Sequence, residues 1–374
     1  MSNFLILMSG GTTPVINATL SGIVEAVKKK KKKVYSGLPG INGVLVNKIV
    51  NLTDFSKSKI SNMGKTPGSH FIGTTRLKKL TNKEIHKLEE NLIKKNIKNI
   101  INIGGNGTLK QSIDLSKRLK NFNFISCPKT VDNDLGDCSF KKLLFNPGFI
   151  SCAMIWKFFL EMINIENVGA QSHDKIIVSQ TFGRDTGFIC GSIRYWDRDN
   201  KLPIMLLLPE DIQSFSNIFK YSKKMLKKHG RLMIFLSEGY KVGNIKPKHD
   251  KSGQVMYGSS GNTNCQILSN KFMQKGIQSR IFNPTILQRV FKFRNIILKK
   301  KDILIAKQIG TFAAKMLFKN KRSILVGISD KNKVISLPYS ACTNYSRKMP
   351  SDFIIKNKFN VSKKYLNYLD KVFK

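Results

Sequence analysis

Short apolar runs, closed by polar or glycine-bearing turns, alternate along the chain with longer stretches whose apolar positions recur at helical spacing. The first such unit is "FLILM", then "SGGTTP", then "VINATLSGIVEAV", which predicts a strand, a loop and a helix. A further strand-and-turn pattern lies in "VYSGLPGINGVLV", and a polar stretch runs from Thr53 to Gly73. "TNKEIHKLEENLIKKN" predicts a helix rich in Lys and Glu. It leads into "IKNIINIGGNGTLKQSIDLSKRL", an apolar strand, a glycine turn and another helix. "FNFISCPKT" is again a strand, ending in a loop loaded with polar side chains.

The second half repeats the style. "KIIVSQTFGRDTG", "KLPIMLLLPED" and "RLMIFLSEGY" are apolar strands ending in polar or glycine-containing turns, separated by helical stretches such as "IQSFSNIFKYSKKMLKKHG". A polar loop follows at "KHDKSGQVMYGSSGNTN", and the tail from about Tyr339 ends in a short helix, "SKKYLNYLDKVF". Alternating strands and helices, with chemically active residue types at strand C-termini, predict open, mainly parallel α/β sheets flanked by helices. A second lobe is expected to begin near residue 142.

Composition narrows this only a little. At 374 residues and 41% hydrophobic the chain can bury a full core, and no apolar run approaches a membrane span. "MSNFLILMSGG" lacks a basic leader and a small-residue cleavage site, so it reads as a buried first strand rather than a signal peptide. Six scattered cysteines without metal-ligand spacing suit reduced thiols, and the expectation is a cytoplasmic protein. The net charge of +42 raises nucleic-acid binding as one reading, testable by salt-sensitive binding to random DNA. The lysines are spread along the chain among many Ile, Asn and Phe residues, which suits an A+T-biased genome better than a binding patch. The one run, Lys28 to Lys33, is expected to fray from a helix into a solvated turn. Such a surface would favour anionic, phosphorylated substrates.

Three glycine turns could hold phosphate. "SGGTTP" (Ser9 to Pro14) and "IGGNGT" (Ile103 to Thr108) each follow a strand and precede a helix, where backbone N–H groups and the helix dipole favour anions. The bland reading of either is a tight connection. "MGKT" resembles the end of a Walker A loop, but Lys59 stands where its first glycine should be. The third turn, "TFGRDTG", presents Arg184 at a strand end; "LLLPED" offers Glu210, and "SRIFNPTILQR" offers Arg280 and Arg289. Singly each suits a structural role; together they supply a carboxylate and guanidiniums for a sugar phosphate. The densest stretch is "CPKTVDNDLGD". In an extended segment Asp132 and Asp134 would point to one side, with Lys129 and Thr130 just ahead. Phosphoryl transfer needs such a base, cations and Mg²⁺ around the phosphate oxygens. The bland alternative is a polar turn whose aspartates cap local N–H groups.

"SGGTTPVINATLSG", "GTTR", "GGNGT", "PKTVDNDL", "FGRDTG", "LPE", "SEG" and "LQR" occur in this order. That ordered set, with the ending "SRKMPSDFIIKNKFNVSKKYLNYL", resembles the 6-phosphofructokinases. The resemblance implies two Rossmann-like α/β lobes with the active site in the cleft between them. The implied division is a donor-binding lobe over 1–141, completed by about 290–338, a sugar-phosphate lobe over 142–289, and a tail over 339–374 packing back on the lobes. Asp132 would take the proton from the 1-hydroxyl of fructose 6-phosphate, Thr130 and Val131 would hold the sugar, and Asp134 would position Mg²⁺, with Asn106 a weaker uncharged ligand. Arg184, beside Phe182 and Gly183, would contact substrate phosphate and the transition state. Glu210 would bind sugar hydroxyls and Arg289 the 6-phosphate. Lys175 and Arg280 would reach the 6-phosphate across a subunit interface, implying at least a homodimer or homotetramer. Ile286 stands where bacterial ATP enzymes place a phosphate-binding histidine, so one contact is missing. Gly11, Gly105, Gly107 and Thr108 would line the donor site, and Arg76 would bridge donor and acceptor.

The family divides between pyrophosphate and ATP as donor. Lys129 in "PKT" resembles the pyrophosphate branch, where the lysine supports the transition state. Gly107 resembles the ATP enzymes, because the pyrophosphate branch places there an aspartate that repels an ATP phosphate. Pyrophosphate is the favoured donor on these residues, an ATP enzyme the alternative, and a non-catalytic sugar-phosphate-binding regulator the rival of another class.

Overall fold

The computed structural model describes residues 2–76, 79–242, 263–291, 297–342 and 345–374. The polar loop expected at "KHDKSGQVMYGSSGNTN" lies outside them, save its last two residues. The chain forms two compact units, one of Met1–Ser151 with Arg289–Arg347, the other of Cys152–Gln288 with Lys348–Lys374.

The first unit begins with β1 (Asn3–Met8), α1 (Ile16–Lys28), β2 (Val34–Gly37), α2 (Gly40–Leu45), β3 (Ile49–Asn51), α3 (Lys57–Lys65), α4 (Asn82–Lys94), β4 (Ile97–Gly104), α5 (Asn106–Arg118) and β5 (Asn123–Pro128). The chain then enters α6 (Phe149–Gly169) and continues in the second unit through β6 (Ile176–Thr181), α7 (Phe188–Ser192), β7 (Ile204–Leu207), α8 (Phe215–His229), β8 (Leu232–Ser237), α9 (Asn264–Met273) and β9 (Ser279–Phe282). It returns to the first with α10 (Ile297–Phe318), β10 (Ile324–Ile328) and β11 (Val334–Pro338). The second unit is completed by β12 (Ile354–Ile355), β13 (Asn360–Val361) and α11 (Lys363–Phe373).

Among the described residues the first unit holds a seven-stranded sheet of order β11-β10-β5-β4-β1-β2-β3. It is parallel except for its two edges, where β11 runs against β10 and β3 against β2. The second unit holds a parallel four-stranded sheet, β7-β8-β6-β9. β1, β4, β6 and β8 are buried along almost their whole length, as near-continuous apolar strands covered on both faces must be. On the first sheet α1 and α10 approach through glycines: a Cβ at Gly22 would lie 2.2 Å from the Lys307 carbonyl, and one at Gly310 would lie 2.1 Å from that of Thr19. The solvated helices carry their own start and stop signals. α4 opens with a Thr81–Glu84 capping box, and α8 runs from a Ser214 cap to left-handed Gly230.

Several details depart from expectation. After β2 the chain turns into α2, because Pro39 and Gly40 start a helical turn in which Gly43 N bonds the Pro39 carbonyl at 2.9 Å. The polar stretch from Thr53 to Gly73 holds α3, capped by Ser56 and anchored by buried Ile60, Met63 and Gly64. The boundary after residue 141 falls instead after Ser151. Asp302 of α10 accepts from Gly148 N (3.1 Å) and from Ser151 N (3.0 Å) and Oγ (2.6 Å), which ties that segment to the first unit. The tail from Tyr339 is likewise divided, its part through Arg347 belonging to the first unit. The Lys28–Lys33 run leaves α1 as a turn, but Lys28 Nζ is engaged, donating to the Thr53 and Phe55 carbonyls at 2.6 and 2.8 Å.

Candidate active site

In the first unit the C-terminal ends of β1, β4 and β5 present three loops side by side. The β1 loop turns at Gly10, whose φ of 77° suits glycine, and Gly10 N bonds the Thr75 carbonyl at 2.9 Å. Beneath it lies Lys129. Its side chain is 3% exposed and its Nζ donates to the Ser9 carbonyl at 3.0 Å and to that of Gly11. The buried ammonium is therefore clamped to the loop at the end of β1. The hydroxyls of Thr13 and Thr75, both buried, have no hydrogen-bond partner among the described residues. A Cβ at Gly11 would stand 2.9 Å from Arg289 Nη1. Arg289, expected at the sugar 6-phosphate, thus lies with its guanidinium against this loop.

The β4 loop opens α5. Gly105 is its N-cap, no side chain caps the helix, and its first turn carries no acid. Its leading N–H groups and dipole suit a phosphate. Thr108 is buried against Gly104, where a Cβ would collide with its hydroxyl at 2.0 Å, and Gly107 is exposed in the first turn.

The β5 loop carries the acids. The extended arrangement expected for "VDND" is corrected: Asn133 has φ 58°, so the chain turns left-handed between the two aspartates. Asparagine tolerates this conformation better than most residues. The acids converge nonetheless, because Thr130 Oγ1 lies 3.4 Å from Asp132 Oδ2 and 3.1 Å from Asp134 Oδ1, and accepts from Asp132 N at 3.1 Å. Asn106 Nδ2 donates to Asp134 Oδ2 at 2.8 Å. The residue read as a weak metal ligand is here a partner that orients the carboxylate. Val131 is buried, and Arg76, expected to bridge donor and acceptor, is exposed after Thr75.

In the second unit β6 ends in the Arg184 loop. Phe182 N donates to Gln288 Oε1 at 2.8 Å, and Trp156 Nε1 donates to the same oxygen at 3.0 Å. Gly183 has φ 134° and Arg184 φ 50°, a left-handed conformation that costs an arginine about 1–3 kcal/mol and persists only where the surroundings impose it. Here they do. Ser237 Oγ donates to the Arg184 carbonyl at 3.0 Å, Arg184 N bonds Glu238 Oε1 at 3.3 Å, and a Cβ at Gly239 would lie 2.0 Å from the Arg184 carbonyl. The Arg184 side chain is exposed. In the sequence Glu238 and Gln288 carry no signal beyond their places in "SEG" and "LQR".

Glu210 Oε1 accepts from Gly187 N at 3.1 Å and from Met349 N at 2.9 Å, while its buried Oε2 has no partner among the described residues. Burial raises its pKa from 4.5 to about 7 against the pull of those amides. The folded chain therefore holds this proton to higher pH than the unfolded one, and stability is lost as pH rises from about 4.5 to about 7. The loss is on the order of 3 kcal/mol. Glu210→Gln is expected to flatten that part of the profile, read as the melting temperature of both proteins from about pH 4 to about pH 8. An unchanged slope in the variant would place the titration elsewhere.

The other second-unit residues expected at the sugar phosphate are exposed. Arg280, exposed on edge strand β9, pairs with Glu166 at 2.6 Å and with Asp174, while Lys175 and Ile286 are exposed. Among the described residues no cluster of three or more His, Cys, Asp or Glu could hold a metal by itself. No described helix is long and apolar enough to cross a membrane.

Paired carboxylates, a buried lysine under a glycine loop and an uncapped helix terminus are the parts of a phosphotransferase. The profile of the family described as Phosphofructokinase matches residues 3–317. A pyrophosphate--fructose 6-phosphate 1-phosphotransferase of Xanthomonas campestris pv. campestris is 24% identical over 388 residues, covering 98% of this chain and 90% of that protein. An ATP-dependent 6-phosphofructokinase of Staphylococcus aureus is 25% identical over 245 residues, covering 64% of this chain and 70% of its own length. The fold matches a crystal structure of a pyrophosphate-dependent phosphofructokinase from Nitrosospira multiformis with a TM-score of 0.86 at 24% identity, over 100% of this chain and 91% of that one. The chain belongs to the phosphofructokinase family.

Proposed function

We propose that the protein transfers a phosphoryl group from pyrophosphate to the 1-hydroxyl of fructose 6-phosphate, giving fructose 1,6-bisphosphate and phosphate. The observation that carries this is the convergence of Asp132 and Asp134 on the Thr130 hydroxyl, one residue after the buried Lys129. Asp132 takes the hydroxyl proton, Lys129 offsets charge at the donor loop, and the α5 N-terminus receives donor phosphate. In the second unit Arg184 meets phosphate and the unpartnered Glu210 Oε2 accepts from or donates to a sugar hydroxyl.

The two carboxylates fit Mg²⁺, which commonly takes one or two carboxylates and completes its shell with phosphate oxygens and water. Asp134 would hold it, oriented by Asn106, and the ion would neutralise phosphate charge. Lys129 and the full-length similarity to a pyrophosphate enzyme support that donor; exposed Gly107, which carries no repelling carboxylate, supports ATP as the second reading. Action in the cytoplasm, and an assembly of two or more copies using exposed Arg280 and Lys175, belong to the same proposal. The reverse reaction tests it: fructose 1,6-bisphosphate and phosphate should yield fructose 6-phosphate and pyrophosphate. Sugar-phosphate binding without conversion in either direction would instead make the protein a binding or regulatory one.

A further inference from the structure

Arg347 stands far along the chain from the acid loop, and no chemistry in the sequence points to it. In the structure it is 1% exposed. Its Nε donates to the Asn133 carbonyl at 2.8 Å and Nη2 to Asn133 Oδ1 at 2.7 Å. The same guanidinium donates to the Leu143 and Leu144 carbonyls, and the backbone N of Arg347 donates to the Asp134 carbonyl at 2.8 Å. Asn133 is the left-handed residue between the two acids, and Asn146 N adds a bond to its side chain at 3.0 Å. Gly136, with φ 147°, makes room for the guanidinium, since a Cβ there would lie 2.8 Å from Nη1. Planar donors aimed at carbonyls in several directions are what a guanidinium offers and an ammonium does not.

We propose that Arg347 is a positioning residue for phosphoryl transfer: its guanidinium locks the Asn133 turn and so aims the Asp132 and Asp134 carboxylates. The proposal rests on the reading of Asp132 as the base. It touches no reacting atom and acts only through the loop. Loss of the lock lets the carboxylates drift, and displacements near 1 Å can cost about 10²-fold in rate.

Arg347→Ala is expected to lower kcat by about 10²-fold with the KM for fructose 6-phosphate within a few-fold, and added guanidinium ion should restore part of the loss. Arg347→Lys, which keeps the charge without the fork, should fall between the two and serves where the alanine variant does not fold. In an Asp132→Ala background the Arg347 substitution should add little further loss, because one residue acts through the other. A lower melting temperature with unchanged kcat per folded molecule would overturn the proposal, leaving Arg347 a purely structural residue. Amide hydrogen exchange over residues 132–136 gives a readout independent of turnover. Faster exchange there in the variant is expected, and unchanged exchange overturns the lock. If the wild-type protein shows that lock but no turnover of fructose 6-phosphate, it is the activity reading that fails.

Discussion

Asp132→Ala is expected to lower turnover of fructose 6-phosphate by about 10²–10⁴-fold while moving the sugar KM no more than a few-fold. The carboxylate is half-buried, held near Thr130 Oγ1 and close to Asp134, so its loss removes an acceptor without opening the core. A base must lie within hydrogen-bond reach of the proton it takes, and among the loop's groups Asp132 is the acid whose backbone Thr130 also fixes. Asp132→Asn keeps the shape and removes the basicity, so it should fall nearly as far. Steady-state kinetics on both variants, with melting curves to show that they fold, make the check. Near-normal turnover would move the proton transfer to Asp134 or to water.

Lys129→Met is expected to cost about 10²–10³-fold in kcat with pyrophosphate, and distinctly less with any ATP reaction the protein supports. Two effects combine. The ammonium is the cation tied to the β1 loop, and it is almost wholly buried, so its field at the donor is weakly screened. Its removal also strips a donor from the buried Ser9 carbonyl, worth about 1–3 kcal/mol of stability, and from that of Gly11, which is exposed and can turn to water. Methionine fills similar space, so a thermal shift separates the fold effect from the catalytic one. Equal losses with both donors would make Lys129 a strut for the β1 loop with no part in choosing the donor.

What the sequence made legible was local. β1, β4, β6 and β8 are apolar runs closed by glycine or polar turns, and α4 and α8 announce their ends with Thr81, Ser214 and Gly230. α2 and α3 carry too few apolar positions to show a helical period. The acid loop was visible as a cluster of residue types, but its geometry was not, because a left-handed Asn133 is imposed by Arg347 and Asn146. The other ties share that character. Lys129 reaches back to Ser9 and Gly11, Glu210 joins Gly187 to Met349, and the Arg289 guanidinium lies by Gly11. Such bonds run between residues more than a hundred positions apart, or from side chain to backbone, and neither leaves a periodic mark. The ordered motifs named the family, whereas the folded chain supplied which polar groups face one another.

The most direct test of the central claim is turnover of fructose 6-phosphate with Mg²⁺, comparing pyrophosphate and ATP side by side in the purified protein. Formation of fructose 1,6-bisphosphate with pyrophosphate at a much higher kcat/KM than with ATP is the predicted result. Turnover with ATP alone would contradict the donor assignment and make Gly107 the deciding residue, and no turnover with either would contradict the assignment of Asp132 as a working base.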